Sequence, residues 1–154
     1  MARQMRSLHA GFLLVPVAVI AGAVVLFAAR GPQTASAFTL TVGDCFSMAV
    51  GATVADVSVA PCTSPHDGEV FYVQNDSTTP VWPGVEEFSN RVASLCVNGA
   101  FQPYTGAPYG SRPDLKVAYF FPPADAWASG QRRLTCYVAM SDGSKASASV
   151  RSAP

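Results

Sequence analysis

The residues best suited to chemistry lie together in one short stretch, His66-Asp67-x-Glu69. Imidazole and carboxylate groups can bind a metal ion or transfer protons. In an extended segment, however, Asp67 and Glu69 share one face and His66 lies on the other, because side chains alternate along a strand. The other histidine, His9, lies at the edge of an N-terminal apolar run and completes no ligand set. We therefore expect no metal ion and no cofactor, and a structural role for this motif.

A nucleophilic triad of Ser64, His66 and Asp67 is also unfavourable. Neighbours on one short loop cannot easily place a nucleophile, a base and an orienting acid in one line of hydrogen bonds. A hydrolase or transferase that uses His66, Asp67 and Glu69 is the enzymatic alternative that the residue types leave open. We expect no catalytic residues and no enzymatic activity.

Four cysteines can hold such a loop in place: Cys45, Cys62, Cys96 and Cys136. No C-x-x-C spacing is present, which disfavours a zinc ribbon or a redox-active dithiol. Four cysteines allow three disulfide connectivities. We favour Cys45–Cys62, which would close the first hairpin, and Cys96–Cys136, which would join the one predicted helix to a later strand.

The elements that must position these residues are short strands. Alternating or β-branched stretches predict strands at residues 38–42, 54–59, 69–74, 115–121 and 134–140. Asp142-Gly143 is typical of a hairpin turn and predicts a polar edge strand over residues 144–150. No internal repeat is visible.

One helix is predicted, because Val85, Phe88, Val92, Leu95 and Cys96 recur at helical spacing. Asn98-Gly99 predicts its end, and residues 101–113, rich in Pro and Gly, predict an ordered loop. The fold class is therefore α+β, an antiparallel sheet with the helix packed on one face. Aromatic residues of this part have two open roles, core or the wall of a carbohydrate or peptide groove: Tyr104, Tyr109, Phe120, Phe121 and Trp127.

Arg132 and Arg133 lead into the strand that contains Cys136. In an alternating strand they face opposite ways, so one can be solvated while the other faces inward. We expect the inward arginine to pair with Asp67 or Glu69.

The N-terminal region indicates the compartment. Ala10–Ala29 carries no charge over twenty residues, and a helix of that length, at ~1.5 Å per residue, spans the ~30 Å hydrocarbon core of a bilayer. Arg3 and Arg6 precede the run and only Arg30 follows it closely, which holds the N-terminus in the cytoplasm. The predicted organisation is a cytoplasmic N-terminus (1–9), a transmembrane signal anchor (10–29), a tether (30–37) and an extracytoplasmic domain (38–154).

Cleavage is the alternative, because Ala35-Ser36-Ala37 has the small-x-small form of a signal peptidase site. It would release a secreted domain that begins at Phe38. The apolar run is longer than the ~7–15 residues of a signal-peptide core, which favours the retained anchor in the plasma membrane.

Charge excludes one class of partner. All ten acidic residues of the chain follow the apolar run, whereas Arg3, Arg6 and Arg30 do not belong to the exported part, so that part is net acidic. Nucleic-acid binding is therefore not expected. Charged residues make up only 13% of the chain, about half the ~25% of an ordinary soluble domain, which indicates a loop-rich, uncharged polar surface.

Taken in order, the motifs of the exported part resemble the septum-formation domain of actinobacterial envelope proteins. They are Val42-Gly43-Asp44-Cys45-Phe46, Cys62-x-x-Pro65-His66-Asp67-x-Glu69-Val70-Phe71, Trp82-Pro83-Gly84, Cys96, Phe101-x-x-Tyr104-x-Gly106 and Trp127-x-x-Gly130-x-Arg132-x-x-x-Cys136. The resemblance implies an envelope protein linked to cell division, with no established reaction. A structural role is expected for the loop residues Pro65, His66, Asp67, Glu69, Trp127, Gly130 and Arg132.

These observations favour a non-enzymatic, membrane-anchored interaction module that crosses the membrane once and binds other envelope or division proteins. A secreted binder of small ligands is a further alternative to the enzyme.

Overall fold

The computed structural model of the chain describes residues 33–48 and 56–153. Its centre is a six-stranded sheet with the order β1-β3-β2-β4-β6-β5, in which all paired strands are antiparallel. The strands are β1 (Gln33–Ser36), β2 (Cys45–Met48), β3 (Asp56–Ala60), β4 (Gly68–Asn75), β5 (Leu115–Phe120) and β6 (Arg133–Met140). The α+β fold class with an antiparallel sheet is confirmed.

Strands β4, β5 and β6 lie where the β-branched and aromatic runs predict them. Two other strand predictions are wrong. Residues 38–42 form a turn and an irregular segment, because Ala37 and Leu40 are buried against the sheet instead of pairing within it. Residues 144–150 form no strand, and only Ala146 bridges to His66, with both backbone N–H groups donating across the pair.

The helical region is longer than predicted. It comprises α1 (Val85–Arg91), a π-helical segment (Val92–Ala100) and α2 (Phe101–Thr105), so the predicted stop at Asn98-Gly99 is wrong. Phe101 and Tyr104 continue the buried face past that point. The region ends at Gly106, whose φ of 78° is one that glycine adopts without steric cost. A 3₁₀ turn (Tyr109–Ser111) lies in the segment predicted as an ordered loop, and a short helix α3 (Ala124–Ala128) lies between β5 and β6.

Both faces of the sheet are covered. The helical region packs on one face, where Phe88, Cys96 and Trp127 belong to the larger core cluster. On the other face, Ala37 and Leu40 pack in a second cluster, which also holds the rings of Phe46, Phe120 and Tyr137. Residues at the N-terminal edge of the described chain are thus part of the core, and they are not only a connection to it.

Of the aromatic residues whose role was open, Tyr104, Phe120 and Trp127 belong to the core and Phe121 packs against it. Tyr109 is exposed.

Both predicted disulfides are present. Cys45–Cys62 has a Cα–Cα distance of 5.2 Å and Cys96–Cys136 one of 6.3 Å, both within the usual range for a disulfide. The first joins β2 to the loop after β3, and the second joins the π-helical segment to β6.

The predicted membrane span, residues 10–29, lies outside the described residues. Among residues 33–48 and 56–153, none of the helices is both long and apolar enough to cross a bilayer. The described chain begins with β1, inside the segment predicted as a tether, and β1 pairs with β3 over its whole length.

Candidate functional site

Glu69 is the centre of the polar cluster that the sequence pointed to. It lies near the start of β4, and its side chain is buried. Oε1 accepts hydrogen bonds from the Tyr104 hydroxyl and the Ser149 hydroxyl, each at 2.6 Å, and Oε2 accepts one from the Val150 backbone N–H at 2.8 Å. The carboxylate therefore joins the sheet, α2 and the C-terminal segment.

No ion pair among the described residues involves Glu69. Three hydrogen-bond donors compensate the burial of this side chain: the hydroxyls of Tyr104 and Ser149 and the backbone N–H of Val150. Burial of Tyr104, together with its bond to Glu69, raises the pKa of the Tyr104 hydroxyl well above its usual value, so the tyrosine stays a donor at every physiological pH.

Asp67 has a different environment, nearer the surface. Lys145 Nζ donates to its Oδ1 at 2.7 Å, and the Met48 backbone N–H donates to its Oδ2 at 2.8 Å. Burial acts to raise the pKa of the Asp67 carboxyl, but the bonds from Lys145 and Met48 outweigh it and hold the pKa below its usual value. Asp67 thus fixes the end of β2 to the loop before β4.

His66 is buried, and its ring points to the protein interior. Nδ1 lies 2.8 Å from the Ser64 carbonyl oxygen, which can only accept, so Nδ1 carries the proton. Nε2 is buried and has no hydrogen-bond partner within the described chain. The cavity that His66 lines together with Asp67 and Glu69 has a volume of about 10 Å³, room for no more than one water molecule.

Gly68, between these residues, permits the close packing. A Cβ atom at this position would lie 2.6 Å from Phe46 Cζ and 2.7 Å from Tyr137 Cδ2, closer than carbon atoms approach. The motif therefore requires glycine between Asp67 and Glu69.

The expected pairing of Arg132 or Arg133 with Asp67 or Glu69 is wrong. In the register of β4 with β6, Glu69 lies opposite Val138, whereas Arg133 lies opposite Asn75 at the far end of the pair. At ~3.3 Å per residue these ends are about 20 Å apart.

The arginines instead bind nearby carbonyl groups. Arg133 donates to the Leu40 carbonyl, and Arg132 Nε donates to the Trp127 carbonyl at 3.4 Å while its guanidinium lies over the Trp127 ring. Trp127 in turn donates from Nε1 to the Thr79 carbonyl. Trp127, Gly130 and Arg132 thus form a second cluster, where Gly130 lies in the turn between α3 and β6.

The ligand atoms of Cys45, Cys62 and Glu69 lie within 4.8 Å of one another. Because the two sulfur atoms are bonded to each other, they offer no thiolate to a metal ion. The grouping shows that the buried carboxylate and the first disulfide adjoin, so both stabilise the same part of the sheet.

Sequence reasoning missed the partners of the motif: Tyr104, Lys145, Ser149 and Val150. The helical spacing that ends at Cys96 does not extend to Tyr104, because Phe101 follows Cys96 by five residues. Only the wider turns of the π-helical segment bring Phe101 and Tyr104 into the same core cluster as Cys96. Nothing in the spacing links residues 145–150 to the loop at residue 66.

Comparison with known families decides the assignment. A family model described as septum formation matches residues 42–153. The chain belongs to the septum-formation family. No curated protein and no solved structure matches it. The part that matches the septum-formation model begins just before Cys45 and includes the C-terminal segment that binds Glu69, so the whole polar cluster belongs to the family domain.

Proposed function

We propose that this septum-formation protein is a non-enzymatic interaction module, anchored in the plasma membrane by residues 10–29 with its folded domain outside. Its partners are other envelope or division proteins. Membership of the septum-formation family supports the role in septum formation or cell division.

The observation that carries the non-enzymatic part is the cavity of about 10 Å³ beside His66, Asp67 and Glu69. A substrate-binding pocket has a volume of roughly 300–1,000 Å³. In addition, the Glu69 oxygens are occupied by Tyr104, Ser149 and Val150, and the Asp67 oxygens by Lys145 and Met48. These groups therefore serve the fold and are not presented to a reactant.

Anchoring is supported by the packing of the chain that follows the apolar run. Cleavage after Ala37 would remove β1 from the sheet and would make the buried Ala37 the new C-terminus of the discarded piece. If the anchor is retained, β1 stays paired in the sheet and Ala37 stays buried in the core.

The first test concerns the N-terminus. We expect the protein to remain in the membrane fraction at full length, because twenty uncharged residues suffice to span the bilayer. Intact-mass measurement of the membrane-extracted protein checks this. Val19→Arg is the control, since a charge in mid-span costs ~2.5–3.5 kcal/mol and should reduce the membrane-bound fraction. A mature N-terminus at Phe38 would contradict the anchor.

The second test concerns catalysis. Depletion of the protein in its native host should disturb septum placement or number, and Asp67→Asn should restore normal septa. The asparagine keeps an acceptor for the Met48 N–H, whereas a general acid or base at this position would lose a factor of ~10²–10⁴ in rate. Lys145→Gln, which breaks the same ion pair and keeps the carboxylate, is the matched control. Restoration by Lys145→Gln but not by a folded Asp67→Asn would favour the enzyme.

A further inference from the structure

A groove of about 660 Å³ lies between the C-terminal segment and the helical region. Its apolar walls are Phe71, Ala100, Pro103 and the ring of Tyr104, and Arg151 and Ser152 lie at its rim. The volume is within the range of ~300–1,000 Å³ that is usual for ligand sites. This groove is therefore large enough for two or three residues of an extended peptide.

Arg151 differs from the other arginines of the described chain. Each of the others uses its guanidinium within the fold: Arg91 binds Asp76 and Glu87, Arg112 binds Asp114, Arg132 binds the Trp127 carbonyl and Arg133 binds the Leu40 carbonyl. The guanidinium of Arg151 makes no hydrogen bond or ion pair with any described residue. Its five N–H donors remain available to a ligand.

The position of Arg151 is nevertheless well defined. On one side the Val150 N–H donates to Glu69, and on the other the Ser152 N–H donates to the Tyr104 carbonyl at 2.9 Å. The guanidinium lies over the Tyr104 ring, 5.5 Å from its centroid, in a cation–π contact. The buried Glu69 cluster thus holds an exposed planar cation at the edge of an apolar groove.

We propose that this groove binds an extended acidic peptide segment of a partner protein, with a carboxylate on Arg151 and an apolar side chain against Ala100 and Pro103. Charge complementarity selects the ligand, because a guanidinium fork matches a carboxylate in two parallel hydrogen bonds. The proposal rests on the proposed interaction function and names the chemistry of its partner.

The test uses the full-length protein in nanodiscs of zwitterionic lipid, with ¹⁵N-labelled arginine and backbone. The probes are the peptides acetyl-Leu-Glu-Leu-amide and acetyl-Leu-Gln-Leu-amide. We expect the Arg151 side-chain signal and the Ser152 amide to shift saturably, with the Glu peptide binding about tenfold more tightly than the Gln peptide. Arg151→Gln should remove this preference, and Arg151→Lys should retain part of it, because lysine keeps the charge without the fork.

Arg112→Gln is the matched control, since Arg112 is bound to Asp114 and does not line the groove. It should leave both affinities unchanged. Equal binding of the two peptides, or a preference for the Glu peptide that survives Arg151→Gln, would overturn the proposal. A third result would also overturn the proposal: the Arg151 signal shifts when the zwitterionic lipid is replaced by anionic lipid, but responds to neither peptide. That result would assign the groove to lipid headgroups. This assay measures only peptide binding to the groove. If neither peptide binds as expected, the outcome of the depletion experiment still stands, and with it the proposed interaction function.

Discussion

Replacement of Glu69 by alanine will lower the free energy of unfolding by about 2–4 kcal/mol. The substitution leaves the buried Tyr104 hydroxyl without its acceptor, which costs about 1–3 kcal/mol. The Val150 N–H, which is only partly buried, also loses its acceptor and adds about 1 kcal/mol. Ser149 loses the same acceptor but can turn to solvent. Urea unfolding of the purified protein with both disulfides intact measures the change.

Asp67→Ala is the matched control, because it removes a carboxylate two residues away that is closer to the surface. We expect it to cost no more than about 1 kcal/mol, the upper range for an exposed ion pair. Amide exchange should separate the two variants further, since only Glu69→Ala releases the Val150 N–H. If both variants lose equal stability, or if Val150 stays protected without Glu69, the central role of Glu69 is wrong.

The parts of the fold that sequence predicts are those with local causes. β4, β5 and β6 follow from continuous β-branched and aromatic runs, because such runs form strands wherever both faces of a sheet are covered. The disulfide pairing follows from the same local elements, since a hairpin and a helix–strand contact each bring two cysteines together.

The errors have tertiary causes. Residues 38–42 alternate like a strand, yet Ala37 and Leu40 cover the second face of the sheet. The burial of these two side chains outweighs the strand preference of the alternating pattern. Asn98-Gly99 resembles a helix end, but the buried Phe101 and Tyr104 lie beyond it and stabilise continued helix.

The candidate site could be predicted only as a set of residue types. A single sequence identifies His66, Asp67 and Glu69 as neighbours, but it carries no register between them and residues 145–152. Lys145 reaches Asp67 only because Ala146 bridges to His66. Arg151 belongs to no sequence motif, and its position beside the groove depends on the contacts of Val150 and Ser152 with Glu69 and Tyr104. It can therefore be identified as a candidate ligand-binding group only in the folded chain.

Removal of the Cys96–Cys136 disulfide will destabilise the domain more than removal of Cys45–Cys62. In the chain-entropy model, closing a loop of 40 residues stabilises the fold by about 4 kcal/mol and a loop of 17 residues by about 3 kcal/mol. Both cysteines of the longer loop are fully buried, so their replacement also disturbs packing between the π-helical segment and β6. Urea unfolding of the Cys96→Ala/Cys136→Ala and Cys45→Ala/Cys62→Ala variants measures both effects.

Graded reduction of the wild-type protein checks the same difference without substitution. Cys62 is partly exposed, whereas Cys96 and Cys136 are buried, so a dithiol at limiting concentration should reach Cys45–Cys62 first. Alkylation followed by peptide mapping should therefore show labelled Cys45 and Cys62 while the protein is still folded. Labelled Cys96 and Cys136 should appear only with global unfolding, because access to their bond requires separating the helical region from β6. Simultaneous labelling of all four cysteines at low reductant would show that the two disulfides belong to one cooperative unit, and that the expected order is wrong.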